Sequence, residues 1–213
     1  MGHSSPIATE GIPFILPLAL LAIGSGIMGW TVPAAILTLL TLFVVWFFRN
    51  PERNTPDNPQ FVVSPADGRV IRIETVDGHE LLAGPLKKIS IFMNVFNVHV
   101  NRIPCDGKIE GIRYYEGRFL SANLDKASLD NERNALLIRM ADGRQILTVQ
   151  IAGLIARRIV CWAQEGMAVK RGERFGLIRF GSRLDVFLPP DANVRVAIGD
   201  KVRAGETPLG EMS

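Results

Sequence analysis

The hydrophobic pattern of this chain changes character once, near residue 60. Before that point lie two apolar runs, Ile12–Met28 and Val32–Phe48, of 17 residues each and without a charge. At about 1.5 Å per residue each run is about 26 Å long as a helix, near the lower limit for crossing a hydrocarbon core. Gly29-Trp30-Thr31 separates them, after a polar leader over 1–11. The pattern predicts a helical hairpin over 1–48 with both ends on one side. Only Ser25, Thr38 and Thr41 interrupt the runs, too few to give either helix a solvated face. A secretory signal would need a positive leading segment, and none is present. Trp30 and Trp46 suit a membrane interface, and Arg49 and Arg53 place the emerging end on the cytoplasmic face.

Residues 49–60 are polar and broken by prolines, the mark of a linker. Beyond them the period becomes two. Short β-branched runs between Gly, Asp and Pro turns predict strands at Val62-Val63, Val70–Ile73, Ile89–Phe92, Val95–Val100, Leu136–Met140, Ile146–Ile151, Ile155–Cys161, Phe175–Phe180, Leu184–Leu188 and Val194–Ile198. Leu120–Arg133 has room for a helical turn or for a loop. Two patterns recur. Pro65-Ala-Asp67-Gly68-Arg-Val70 returns as Pro104-Cys-Asp106-Gly107-Lys-Ile109. Gly166-x-x-Val169-x-x-Gly172-Glu173-x-x-Gly176 returns, one residue longer, as Gly199-x-x-Val202-x-x-Gly205-Glu206-x-x-x-Gly210. The expected fold for 61–213 is therefore mainly β: a compact barrel or sandwich of hairpins with an internal pseudo-repeat, related to domains that carry lipoyl or biotinyl groups.

Charge follows the same division. All 24 Lys and Arg fall in 49–213 with 20 of the 21 acids, leaving that part at +4. Such a charge suits either anionic headgroups or an ordinary solvated surface. The cations are dispersed and not interleaved with aromatics, which argues against nucleic acid as a partner. Cys105 and Cys161 stand far apart, giving neither a disulfide framework nor a zinc site, and both suit small buried positions. His3, His79 and His99 show no ligand spacing, so no metal is expected.

Four places carry candidate chemistry. Alternation sets His99 with Val95, Asn97 and Asn101 on the more polar face of its run, as a general acid–base or as a hydrogen-bonded sheet histidine. Asp67, like Asp106, precedes a glycine; either aspartate caps a turn or orients an imidazole. Asn131, Glu132 and Arg133 form a dense polar group that fits a solvated loop or a phosphate or carboxylate site, with Arg133 as the fork of donors. Gly181-Ser182 stands between two strand patterns. Glycine leaves a carbonyl approachable, and a serine hydroxyl beside it has the placement needed for a chain to cut itself; a bulge or tight turn is the plain alternative.

Taken together, Ser64-Pro-Ala-Asp-Gly-Arg-Val70, Asn97-Val-His-Val-Asn-Arg-Ile-Pro104, Asn131-Glu-Arg133 and Phe180-Gly-Ser-Arg183 resemble the phosphatidylserine decarboxylase family in its short bacterial form, over about residues 60–190 and in the family's order. The resemblance implies a proenzyme in which Ser182 attacks the Gly181 carbonyl, leaving chains 1–181 and 182–213, with Ser182 converted to a pyruvoyl group, the covalent cofactor. It assigns His99 as the base, with Asp67 as its orienter, and makes Asn131, Glu132 and Arg133 candidates for holding substrate. The mature enzyme would form a Schiff base with the amine of phosphatidylserine, lose carbon dioxide and release phosphatidylethanolamine. It implies a phospholipid substrate, the cytoplasmic face of the cell membrane as location, and a small chain that stays bound to the large one; a homodimer remains open.

Two positions depart from the longer members. Phe180 and Arg183 flank the Gly-Ser pair where those have Leu and Thr, and Arg102 stands where they have a second histidine. His99 must then serve both cleavage and decarboxylation, or another group takes one step. The alternatives are a decarboxylase of an ether-linked serine lipid and a membrane-tethered carrier module. The carrier needs a modifiable lysine at a hairpin tip, with Lys87, Lys88 and Lys108 as candidates.

Overall fold

A computed structural model describes residues 4–117, 131–153, 158–179 and 182–212. The chain forms two compact units, Met1–Glu52 and Arg53–Ser213.

In the first unit a 3-10 turn at Thr9–Gly11 leads into α1 (Ile12–Ile27) and α2 (Thr31–Phe47). Pro13 sits in the first turn of α1, where its missing N–H has no intrahelical partner to lose. Gly29 reverses the chain at φ 75°, a conformation open to glycine. The two ends are tied together: Ala8 N–H donates to the Phe48 carbonyl at 2.8 Å, and Asn50 N–H to the Pro6 carbonyl at 2.7 Å. The helix surfaces point hydrocarbon outward. Leu20, Ile23, Ile27, Val32 and Leu39 are all more than half exposed. Each such side chain disfavours water at roughly 25 cal/mol per Å² of apolar surface. The helical stretch Thr9–Ile27 is long and apolar enough to cross a membrane, while Thr31–Phe47 is shorter. The helix pair is compatible with membrane association.

The second unit is mainly β. Its strands among the described residues are β1 (Phe61–Val63), β2 (Gly68–His79), β3 (Leu82–Met93), β4 (Val100–Arg102), β5 (Gly107–Tyr115), β6 (Arg133–Arg139), β7 (Gln145–Ala152), β8 (Ile159–Cys161), β9 (Ala168–Val169), β10 (Arg174–Ile178), β11 (Ser182–Leu188), β12 (Asn193–Val194), β13 (Lys201–Val202) and β14 (Pro208–Glu211). An eight-stranded sheet in the order β13-β2-β3-β11-β7-β6-β5-β9 curls into a half-barrel. Two three-stranded sheets, β1-β14-β12 and β4-β10-β8, accompany it.

This order is symmetric about its middle. Half A consists of β1, β2, β3, β11, β12, β13 and β14; half B consists of β4 to β10. Each strand pairing within A has a counterpart in B, with matching register as far as Val76↔Leu86 and Tyr115↔Arg133: Phe61↔Glu211 and Val62↔Gly210 answer Val100↔Leu177 and Asn101↔Gly176, and Arg69↔Phe92 answers Lys108↔Arg139. The halves meet at β11 and β7, where Val186 and Thr148, counterparts of one another, lie directly opposite. Half B is continuous in sequence. Half A is not: its hairpin β3–β11 is opened between Met93 and Ser182, and residues 94–181 lie in the opening. In half B the equivalent hairpin is closed by Met140–Arg144, with Gly143 at φ 88°. A shared apolar core joins the halves, with Val70, Ile91, Leu184 and Val186 from one and Ile109, Leu136, Ile138 and Ile146 from the other.

The recurring sequence patterns have matched physical causes. A Cβ on Gly68 would stand 2.3 Å from the Phe92 carbonyl oxygen, and one on Gly107 2.4 Å from that of Arg139. Only glycine lets those strands approach. Asp67 Oδ1 accepts from the Ala204 N–H at 2.8 Å, as Asp106 Oδ1 does from Arg171 at 2.8 Å.

Several expectations need correction. Val95–Val100 is not a strand. Asn97 Oδ1 accepts from Asn94 N–H and Asn94 Oδ1 from Phe96 N–H, so side-chain turns replace ladder bonds until Val100. Val194–Ile198 keeps only Val194 in a strand, because Asp200 Oδ2 takes the Ala197 N–H into a turn. Of the linker expected over 49–60, residues 53–60 fall in the second unit, where Arg171 donates to the carbonyls of Pro56, Asn58 and Phe61. Residues 120–130 of the expected turn or loop, residues 155–157 of an expected strand, and Phe180 lie outside the described residues.

Candidate active site

Ser182 opens β11, the strand of half A that pairs with β7 of half B. It lies opposite Met93 of β3 and Ala152 of β7 and is fully buried. Alternation turns it, with Leu184 and Val186, toward the main core, while Arg183, Asp185 and Phe187 take the other face of the sheet. Its hydroxyl donates to Met93 Sδ at 3.5 Å. Gly181, its expected partner in the scissile bond, lies outside the described residues.

His99 is buried just before β4, not on the half-exposed face of a strand. Its carbonyl accepts from Ile178 N–H at 3.3 Å, so it stands beside the end of β10, four residues before Ser182 in sequence. Its Nδ1 is 3.0 Å from the Asn97 carbonyl, which can only accept. Facing an acceptor, Nδ1 is the nitrogen assigned the proton in this contact.

Asp67 lies at the same end of the sheet, since Arg69 and Arg183 pair with Phe92 from either side. Its carboxylate is engaged by Arg53, through Nη2 at 3.0 and 2.8 Å, and by Ala204 N–H. No imidazole is among these partners. Of the two roles open to an aspartate before glycine, the geometry gives Asp67 turn capping, shared with Asp106, together with an ion pair of its own. Arg53 is a residue that sequence reasoning missed, because an arginine in a proline-rich polar stretch reads as solvated. Its side chain is nearly buried and also reaches Glu206 at 3.5 Å.

The Asn131-Glu132-Arg133 group divides. Asn131 Nδ2 donates to the carbonyl of Ala152, the residue opposite Ser182, at 2.7 Å. The Glu132 carbonyl accepts from Ala152 N–H, and its Oε1 from Ile159 N–H at 3.1 Å. These two clamp the strand beside the serine. Arg133 instead shares a row with Ile151 and Arg183 and stacks at 4.2 Å over Tyr115, on the sheet face away from Ser182. It lines a cavity of about 290 Å³ there with Val149, Phe187 and Lys88. The structure therefore does not bring Arg133 to the serine.

Other groups are less suited to chemistry. Burial pushes the Cys161 thiol up, and the fully buried Cys105 thiol much further, so neither supplies a thiolate at neutral pH. No cluster of metal-ligating side chains occurs among the described residues. Lys87 and Lys88 lie inside β3, bonded to the Ala192 carbonyl and to Glu74, and Lys108 lies inside β5. None stands at a hairpin tip, as a carrier domain would require.

A fully buried serine thus heads β11, with His99 near the end of β10. The comparisons are specific. The family described as phosphatidylserine decarboxylase matches residues 40–210. A phosphatidylserine decarboxylase proenzyme of Syntrophus aciditrophicus is 60% identical over 99% of both chains. Proenzymes of the same name from Geobacter metallireducens and Desulfotalea psychrophila are 50% and 48% identical, each over 97% of both chains. The chain belongs to the phosphatidylserine decarboxylase family.

Proposed function

We propose that this chain is a membrane-associated proenzyme that cuts itself between Gly181 and Ser182 and then converts phosphatidylserine to phosphatidylethanolamine and carbon dioxide. The observation that carries this reading is the placement of Ser182: buried, first in β11, at the one junction where half A has been opened. In the cut, Ser182 Oγ adds to the Gly181 carbonyl, the amide C–N bond breaks, and an ester with a free Ser182 amine results. Elimination then expels the Gly181 carboxylate, and hydrolysis of the dehydroalanine left at 182 releases ammonia and yields the pyruvoyl terminus. His99 is the group assigned to move the protons.

The residues fit such a terminus. It would head a strand hydrogen-bonded on both sides, among the buried side chains of Met93, Ala152 and Leu184. A keto group conjugated to an amide supplies an electrophile for the substrate amine and a sink for the electrons left by carbon dioxide. The small chain, 182–213, would stay bound. It holds β11 to β14, and Leu184, Val186, Leu188, Leu209 and Met212 are fully buried. Asp67 is well placed to secure it, joining Arg53 on the large chain to Ala204 on the small one. The apolar helix pair would bring the enzyme to the cytoplasmic face of the membrane and its phospholipid. An ether-linked serine lipid presents the same headgroup and is the second reading.

Intact-mass measurement of the purified protein tests the proposal. Two chains divided at Gly181/Ser182 are expected, and Ser182→Ala should remain one inactive chain. A single unmodified chain with full decarboxylase activity would overturn the reading.

A further inference from the structure

The interior beneath Ser182 is not all hydrocarbon. Met93 Sδ, which receives the Ser182 hydroxyl at 3.5 Å, also receives Asn101 Nδ2 at 3.8 Å. Asn101 Oδ1 accepts from Gln150 Nε2 at 2.8 Å, and Gln150 Oε1 accepts from Asn134 Nδ2 at 3.0 Å. All of these side chains are buried. Each amide donates toward the serine, and Asn101 and Gln150 each accept from the amide behind, so the chain has a direction and its dipoles reinforce one another. It ends on a thioether, a weak acceptor.

The fold itself does not call for these amides, and half A supplies the control. The counterpart of Asn101 is Val62, and that of Gln150 is Leu188, both fully buried in the main core. The surroundings match as well. A Cβ on Gly210 would meet Leu188 Cδ1 at 2.9 Å, and one on its counterpart Gly176 would meet Gln150 Nε2 at 3.2 Å. The third amide, Asn134, answers to Lys87. At two of the three positions the same backbone is thus filled by hydrocarbon in one half and by amides in the other; at the third, Lys87 donates to the Ala192 carbonyl. Burying an amide costs free energy that hydrogen bonding only recovers. What distinguishes half B's copy is that its chain leads to Ser182.

We propose that Asn134, Gln150 and Asn101 are positioning residues for self-cleavage. They fix the flexible Met93 side chain and, through its sulfur, hold the Ser182 hydroxyl ready to attack. Methionine has three rotatable bonds and needs such a tether to hold one place. A thioether accepts the hydroxyl proton without donating to the oxygen, so the attacking lone pairs stay free. In the step it serves, Oγ bonds to the Gly181 carbonyl carbon, the C–N bond breaks, and the hydroxyl proton ends on the released amine. This inference rests on the self-cleavage proposed above.

The test is the double variant Asn101→Val, Gln150→Leu, which gives half B the residues half A already carries. The variant should still fold cooperatively, its thermal midpoint lowered only by the loss of Asn134's acceptor. Its cleavage, followed by intact mass, should slow by between about 10- and 100-fold, the scale of a displaced reacting group. Neutral hydroxylamine, which cuts esters but not amides, should release no extra chain beginning at Ser182. Should the double variant not fold, Met93→Leu, which removes only the acceptor sulfur, carries the same expectations. Cleavage at the unaltered rate would overturn the inference. So would slow cleavage that hydroxylamine restores, because the ester would then be forming normally. If the unaltered protein stays whole, the self-cleavage reading itself fails, an outcome distinct from either.

Discussion

Half A and half B share their strand order and the glycine pairs Gly68/Gly107, Gly199/Gly166, Gly205/Gly172 and Gly210/Gly176, yet they have been put to different uses. Half B is a closed unit whose hairpin turns at Met140–Arg144. Half A is the same unit with that turn opened and half B set into it, so Ser182 occupies the position that Arg144 holds in the closed copy. The other half's counterparts are plain: Gln60 answers His99, Val62 answers Asn101, Val63 answers Arg102 and Leu188 answers Gln150. Shared features therefore report on the scaffold, and unshared ones on the site. Asp67 is instructive because it belongs partly to each: its turn-capping bond is shared with Asp106, and its ion pair with Arg53 is not.

The largest effect should come where the halves are most alike. Gly68→Ala and Gly107→Ala each drive a methyl into a backbone oxygen, and backbone cannot swing aside as a side chain can. Each should lose about 3 kcal/mol, the upper part of the range for overpacking, and chemical denaturation of the two variants should give matching losses. A loss at one position only would break the equivalence of the halves.

The two echoes are what made this architecture partly legible in the sequence: the Asp-Gly echo marks a capped turn beside a close approach only glycine permits, and the Gly-Glu echo marks turns with glycine at positive φ. The helix pair was legible from the absence of charge. The opening in half A was not: nothing local at Met93 or Ser182 announces that they are neighbours, and pairing across residues 94–181 is a long-range fact. The two-residue strands β9 and β13 are too short for a period to show. His99 was read on a strand because Val95–Val100 alternates; the asparagines at 94 and 97 override that alternation through their own turns. Gln150 was hidden inside an apolar strand, where a single amide reads as noise until its neighbours in space are known.

A smaller difference should appear at the aspartates. Asp67→Ala removes a backbone bond and leaves the nearly buried Arg53 with only Glu206, a longer contact. It should destabilise by about 2 kcal/mol, in keeping with hydrogen bonds to charged groups. Asp106→Ala removes one backbone bond at a more exposed site and should lose about 1 kcal/mol. Urea midpoints of the two variants would decide this. Equal losses would show that Arg53 adds nothing, and would remove the reason for giving Asp67 a role in holding the two mature chains together.

The smallest effect concerns the far end of half A, where the β2–β3 hairpin closes at Glu80 and Leu81. His79 there is half-buried, its ring 5.2 Å from that of Phe187, and its Nδ1 accepts from Leu81 N–H at 3.2 Å. Burial, foremost, holds its pKa below the ordinary 6.5; Arg133 and Lys88 act in the same direction, while Glu80 and Asp185 oppose them. Protonation would also end the bond from Leu81, since an imidazolium has no acceptor nitrogen. A histidine whose folded pKa is lowered binds its proton more readily in the unfolded chain. Its contribution is therefore complete above about 6.5, the unfolded value, and is lost as pH falls from there through the folded value. His79→Gln keeps an acceptor but does not titrate. Between pH 7.5 and pH 5 the unaltered protein should lose more stability than His79→Gln, and the two denaturation curves should converge toward the acid end. Parallel losses would mean that the proton goes elsewhere and that His79 serves only as packing against Phe187.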